Sequence, residues 1–311
     1  MISATAPGKV ILFGEHAVVY GEPALAVAVS LRTTVMAREG GAHHTVNGYP
    51  LSEQFHAHIK QAVDLVWGNG PPLILETESN VPSAAGLGSS AALTTATVSA
   101  LLALQDKFTP EEAARRAYDV EWTAQGGRGS PTDTSTVAHG EAVLVDGLKR
   151  ENLLWTISRG DRTWHLHHHD VPRGFTLVVG NTGQRGRTAE QVAKVAKLTK
   201  RSAFARDVVR DIGKLTRQGV AALERGDKAE VGRLMTRNHH LLHILGVSTP
   251  KLDELVEAVT PLSHGAKLTG SGGGGSMIAL TDRPKEVAEM IRKRGATPYT
   301  VSLGGLGVEI L

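Results

Sequence analysis

Short apolar runs punctuated by glycine open the chain. Between residues 4 and 29, Gly8, Gly14 and Gly21 interrupt segments such as Val10-Ile11-Leu12-Phe13, and Thr33-Thr34-Val35-Met36 continues the pattern. Runs of this length bounded by turn residues predict several paired strands and no helix. The spacing then predicts a helix over 52–66 and a strand over 73–77. Residues 91–104 are rich in Ala and Leu with no Gly or Pro, the make-up of a buried helix. Thr109, Pro110 and Glu112 form a helix start: a capping hydroxyl, a proline where its missing N–H costs nothing, and a glutamate that closes a capping box. That helix should run to Gln125. A Ser130-Pro131-Thr132-Asp133-Thr134 loop and a strand over 142–145 follow.

The second half predicts a strand over 175–179 and a long helical stretch over 188–259, broken near Gly226-Asp227 and at Thr249-Pro250. A β-α-β order then returns: strands over 266–268 and 277–280 flank Thr269-Gly270-Ser271-Gly272-Gly273-Gly274-Gly275, a helix covers 284–294, and strands close the chain over 300–303 and 308–311. This order predicts two α+β lobes without an internal repeat, residues 1–173 and 174–311.

Composition narrows the function classes. The 311 residues are 41% hydrophobic and 21% charged, enough to bury a sizeable core. The chain has no Cys, which excludes a disulfide framework and any Cys-ligated zinc or iron–sulfur centre and fits a reducing cytoplasm. A net charge of +3 and a pI of about 9.1 are spread along the chain, and aromatic residues are 4% of it. Nucleic acid is therefore a poor partner, for want of both a basic patch and stacking platforms. Residues 1–9 lack the order of a signal peptide, and no run of about 18 uncharged apolar residues occurs. The expectation is a cytoplasmic protein with no membrane partner.

Gly86-Leu87-Gly88-Ser89-Ser90-Ala91-Ala92 is the segment richest in chemistry. Small residues let backbone amides approach an anion, and the helix that follows turns its positive end toward it. A packed turn before an Ala-rich helix has the same outline. The glycine loop ending in Gly-Lys-Ser/Thr is absent, since Gly8-Lys9 is followed by Val10. Gly270, Gly272 and Gly275 match Gly-x-Gly-x-x-Gly, but a strand follows them where a dinucleotide site needs a helix. That run suggests a backbone closely approaching a ligand or another segment, or else a flexible hairpin. Phosphoryl transfer needs a group acting on the attacking hydroxyl, cations, and oxygen ligands for Mg²⁺. Lys9, set between Pro7-Gly8 and an apolar run, and Asp133, in its polar loop, are candidates, although Lys9 could snorkel and Asp is common in turns. His165, His167 and His169 would share one strand face, and His239 and His243 one helix face; both spacings permit a metal, but neither has a third ligand.

Three segments together, Pro7 to Gly21, Pro82 to Ala92 and Lys267 to Ser276, resemble the signature motifs of the GHMP family of small-molecule kinases. Within it, Gly14-Glu15-His16-Ala17-Val18-Val19-Tyr20-Gly21 resembles the members that phosphorylate mevalonate, as do Ser130 to Asp133 and Leu241 to Ser248. The similarity covers nearly the whole chain. It implies a two-lobed α+β fold, with an N-terminal lobe like ribosomal protein S5 and a ferredoxin-like C-terminal lobe. It further implies ATP and Mg²⁺ as cofactors and mevalonate as acceptor, in isoprenoid biosynthesis. Carried over by position, Pro82, Ala85, Gly86, Leu87, Gly88, Ser89, Ser90 and Ala91 would hold the triphosphate, and Ser90 and Glu121 the metal. Asp133 would orient or deprotonate the acceptor hydroxyl with Lys9 beside it. Glu15, His16, Thr188, Gly272 and Gly273 would face the acceptor. A homodimer is a family expectation. Phosphomevalonate, homoserine or galactose as acceptor, or a non-catalytic ATP-binding sensor, are the alternatives within the same fold.

Three positions depart from the family pattern. Ala84 stands where a glycine is usual, Glu121 and Asp133 are twelve positions apart, one more than the family spacing, with 126–129 as the place for an extra residue, and Gly186 replaces the arginine two before Thr188, with Arg185 and Arg187 on either side.

Overall fold

The computed structural model describes residues 1–83, 85–127, 129–159 and 162–311, with the side chain of Arg162 also left aside. Two long strands form its frame, β1 (Ile2–Phe13) and β2 (Ala24–Glu39), paired antiparallel from Ile2 opposite Ala37 to Phe13 opposite Leu25. The several short strands expected here are thus two long ones. The register slips between Pro7 and Gly8 and again between Ile11 and Phe13, so Gly8 marks a bulge and not a turn. β3 (Thr45–Val46), β4 (Tyr49–Pro50), β5 (Leu73–Ser79), β6 (Ala142–Asp146), β7 (Leu153–Arg159) and β8 (Arg162–His169) extend the sheet in the order β4-β3-β5-β2-β6-β8-β7. The β7–β8 hairpin escaped prediction because its residues are largely polar and half-exposed, and local pattern does not separate such strands from loop.

Among the described residues, the α-helices of this lobe are α1 (Glu53–Ala62), α2 (Ser89–Leu104), α3 (Pro110–Ala124) and α4 (Pro131–His139). Residues 91–92 and 94–102 of α2 are all buried, as its uniformly small and apolar sequence requires. Thr109 caps α3 as predicted, its hydroxyl accepting the Glu112 N–H at 3.1 Å. The loop expected at 130–134 is the start of α4. Ser130 is extended, Pro131 takes the first helical position, and Asp133 falls in the first turn, where a carboxylate complements the helix dipole.

The second lobe holds β9 (Thr176–Asn181), α5 (Thr188–Arg201), α6 (Ala203–Glu224), α7 (Lys228–Ile244), α8 (Pro250–Val259), β10 (Gly265–Thr269), β11 (Ser276–Leu280), α9 (Pro284–Lys293) and β12 (Thr297–Ser302). Its antiparallel sheet runs β10-β11-β9-β12, the 4-1-3-2 order of a ferredoxin-like unit. The last strand, β13 (Glu309–Ile310), leaves this lobe and pairs with β1, Ala4 opposite Ile310. Val10, Leu12, Phe13, Leu25 and Val27 share one apolar cluster with Leu177, Val179, Ile278 and Leu280, so the two sheets lean on a common core. Among the described residues, no helix is long and apolar enough to cross a membrane.

Helix α7 lies on β10 through a backbone contact that only glycine permits. A Cβ on Gly232 would come within 2.2 Å of the His264 carbonyl, and one on Gly265 within 1.8 Å of the Gly232 oxygen. Gly232→Ala should therefore lower stability by about 1–3 kcal/mol. The check is the urea midpoint at constant slope, and an unchanged midpoint would contradict this packing.

Candidate active site

The loop before α2 is held against β1. Leu87 offers its carbonyl to the Lys9 N–H at 2.9 Å, and a Cβ on Gly8 would come within 2.7 Å of that same oxygen. Gly86 and Gly88 are left-handed, at φ +72° and +70°, and a Cβ on Gly88 would meet the Lys9 side chain at 2.8 Å. From the other lobe, Ser276 Oγ donates to the Ala85 carbonyl at 2.7 Å. Half-buried Pro82 leads into the loop, and Ala85 and Leu87 are buried anchors. Gly88 sits at the N-cap of α2 without a side-chain cap, so the first amides, at Ser89, Ser90 and Ala91, have no intrahelical partner. A helix start with free amides and two hydroxyls is suited to an anion. Ala84 and Arg128 lie outside the described residues.

Lys9, Asp133, Glu121 and Ser90 converge beside this helix start. Lys9 Nζ lies 2.9 Å from Asp133 Oδ1, with the lysine almost wholly buried and the aspartate 28% exposed, so the carboxylate remains open to a ligand. A snorkelling Lys9 is excluded by that burial. Glu121 is buried, accepting from Thr94 Oγ1 at 3.3 Å with His58 Nδ1 at 3.5 Å. Burial, followed by the charge of Asp133, raises its pKa to about 7, against the opposing pull of hydrogen bonds from Ser90 and Thr94 and the charge of Lys9. Glu121 thus meets Ser90 directly and senses Asp133 despite the extra residue. Between them Gly126 and Gly127 turn through left-handed backbone, and Gly127 packs on Trp122.

The residues expected on the acceptor side are less uniform. Glu15 is buried, and its carboxylate is taken up by Lys267 Nζ and by Asn238 Nδ2 at 3.1 Å. His16, left-handed at φ +62°, donates from Nε2 to the Ser271 carbonyl at 2.9 Å, and burial lowers its pKa. Thr188 Oγ1 is 3.1 Å from Ser271 Oγ. The Gly273 amide is already bonded to the Val247 carbonyl at 2.8 Å, and a Cβ on Gly272 would come within 2.1 Å of that oxygen. Gly186 is required where the family has arginine, because a Cβ there would come within 2.6 Å of the Gly272 carbonyl. Arg185 and Arg187 are exposed, and Arg187 pairs with Glu190 at 2.8 Å. Lys267, Asn238 and Ser271 were not foreseen as partners here. A lysine inside the otherwise apolar stretch Gly265-Ala266-Lys267-Leu268 was the available signal. The histidine runs go elsewhere: His165 bonds Thr156, His169 bonds Glu224, and His239 and His243 both meet Asp253.

Comparison with known proteins bears on the family and the fold. Residues 55–141 match the GHMP kinases N terminal domain, and residues 220–299 match GHMP kinases C terminal. The mevalonate kinase of Pyrococcus abyssi is 33% identical over 100% of this chain and 98% of its own. The chain belongs to the mevalonate kinase family. Among solved structures, Methanococcus jannaschii mevalonate kinase superposes with a TM-score of 0.78 at 28% identity, covering 97% of this chain and 98% of its own. L. major mevalonate kinase in complex with R-mevalonate gives 0.78 at 26% identity, over 96% and 94%. Mevalonate kinases are phosphotransferases, and membership of the GHMP kinases makes ATP the phosphoryl donor.

The raised pKa of Glu121 means that its ionised form opposes folding. The cost is absent below the unfolded value near 4.5, grows as pH rises toward about 7, and is constant above that. In the nucleotide-free protein, Glu121→Gln should therefore raise stability by up to about 3 kcal/mol at about pH 8 and change it little at about pH 4. Thermal melting at the two pH values checks this, and equal shifts at both would contradict it.

Proposed function

We propose that the protein transfers the γ-phosphoryl group of ATP to the 5-hydroxyl of (R)-mevalonate, giving 5-phosphomevalonate and ADP. The observation that carries this reading is the Lys9–Asp133 pair, standing at the uncapped start of α2 with one face open. Family membership supplies the acceptor. The amides of Gly86 to Ala91 and the hydroxyls of Ser89 and Ser90 bind the triphosphate, with Pro82, Ala85 and Leu87 fixing the loop. Lys9 occupies Oδ1 of Asp133, and the acceptor hydroxyl donates to the other carboxylate oxygen. As that hydroxyl oxygen bonds to the γ-phosphorus and the bond to the β,γ-bridging oxygen breaks, the proton passes to Asp133 and ADP leaves. Lys9 offsets the charge that gathers on the phosphoryl oxygens. His16 and Thr188 line the acceptor end, with Glu15, Gly272 and Gly273 shaping it from behind.

Ser90 and Glu121 form a hard oxygen pair in direct contact, a donor set that fits Mg²⁺, which commonly takes one or two protein ligands and completes its shell with phosphates and water. When bound there, Mg²⁺ would neutralise charge on the β- and γ-phosphates. The same reading divides the chain into lobes 1–173 and 174–311, supported by the break between the sheets after His169, with the tail returning to the first lobe. A cytoplasmic location and a homodimer complete it, on family membership alone.

The test is ADP release with Mg·ATP and, in turn, mevalonate, phosphomevalonate, homoserine and galactose. Selective turnover of mevalonate is the expected result. Turnover of another alcohol would overturn the acceptor, and none at all would favour an ATP-binding sensor. Asp133→Asn should lower kcat by about a thousandfold or more while ATP binding persists. A near-native rate in that variant would remove Asp133 from the proton transfer.

A further inference from the structure

Asp253 lies away from the reacting centre, in the first turn of α8, yet its carboxylate gathers three donors. Ser248 Oγ donates to Oδ1 at 2.5 Å, His239 Nε2 meets the same oxygen at 3.1 Å, and His243 Nδ1 lies 3.0 Å from Oδ2. The other nitrogen of His239 settles its tautomer. Nδ1 accepts the Leu268 N–H at 3.2 Å, and burial holds the imidazole neutral, so the single ring proton sits on Nε2 and is donated to Asp253.

Two of these three arms, those of His239 and Ser248, end at the glycine run. Leu268 is in β10, which leads directly into residues 270–275. Ser248 follows Val247, whose carbonyl holds the Gly273 amide and lies against Gly272. Asp253 therefore fastens both the strand entering the run and the segment on which the run rests. The run in turn presents Ser271 to His16 and Thr188. The loop before α2 has its own hold on β1 through Lys9, and it meets the end of the run only at Ser276, which is fixed opposite Thr269 in β10 and opposite Asn181 in β9.

We infer that Asp253 is a positioning residue for the acceptor subsite, setting the place of Ser271, and through it of His16 and Thr188, without touching either substrate. The link to mevalonate rests on the function proposed above, whereas the link to the glycine run rests on the geometry alone. Asp253→Ala removes the whole hub, and Ser248→Ala cuts one arm with little risk to folding.

Two readouts on the full chain test this. Without any substrate, hydrogen exchange should quicken in peptides covering 268–275 in both variants and keep its native rate over 85–104; unchanged exchange over 268–275 overturns the inference. In turnover assays the KM for mevalonate should rise about tenfold in Asp253→Ala, with the KM for ATP within about twofold of native. Equal rises for both substrates, or a loss of kcat with neither KM changed, would reduce Asp253 to a structural role. Asp253→Asn keeps an oxygen for His239 and Ser248 and should recover most of the native KM, and a variant no better than alanine counts against the assignment. Should the native protein leave mevalonate untouched, the proposed acceptor falls and the exchange experiment still decides the role of Asp253. If Asp253→Ala does not fold, Ser248→Ala carries both readouts.

Discussion

Glu15 and Lys267 are opposite charges withdrawn from water at the meeting of the two lobes, and the turn carrying His16 and the run carrying Ser271 are arranged around them. Neither side chain has solvent to fall back on: Lys267 is fully buried, and its ammonium is shared between the Glu15 carboxylate and the Leu268 carbonyl. Loss of one partner would strand the other, at a cost of about 3–5 kcal/mol. The pair is therefore weak evidence for stability but a strong constraint on register. It fixes the turn after β1 against β10, with Asn238 of α7 as the third member. His16, the next residue, then has one place to go, over Ser271.

A second constraint is the close approach of bare backbone. Gly8 lets the loop before α2 and β1 touch main chain to main chain, Gly88 leaves room for the Lys9 side chain, and Gly186 and Gly272 let the segments around the glycine run meet backbone to backbone. The Gly14 turn belongs to the same scheme, since a Cβ there would lie 2.4 Å from Ala24 Cα. Main chain on both sides means that the site's shape depends little on rotamers. Side chains carried on such backbone are held in place before anything binds.

Much of this was legible in the sequence, and the limits have physical reasons. The turn at Gly86–Gly88 and the helix that follows could be read because left-handed backbone before a helix start is supplied locally by small residues. Lys9 and Asp133 stand out through an odd neighbour and a polar loop, and the fold brings them together as an ion pair, although Pro131 opens a helix where the polar run suggests a loop. Glu15 reads from its motif as an acceptor-facing carboxylate, but its orientation depends on a lysine 252 positions away, which no local pattern reveals. The role of the glycine run was left open between ligand and chain segment, and Val247 and Gln184 take up its backbone amides at Gly273 and Gly275. The partner of the final strand is likewise set by long-range pairing, whereas the polar β7–β8 hairpin is local and simply lacks an alternation that separates it from loop.

That final strand bears on how the molecule is assembled. Arg32 in β2 reaches the Leu306 and Gly307 carbonyls and pairs with Glu309, while the Leu311 amide bonds Ser3. Val308 donates to the Ala138 carbonyl near the end of α4, the helix that carries Asp133. Ala4 and Thr5 of β1 thus find their partner strand only across the whole sequence of the second lobe. Until residues 308–310 emerge in translation, that short stretch of β1 edge is unpaired and α4 lacks its brace, so the packing of the first lobe is completed only after the second has been synthesised.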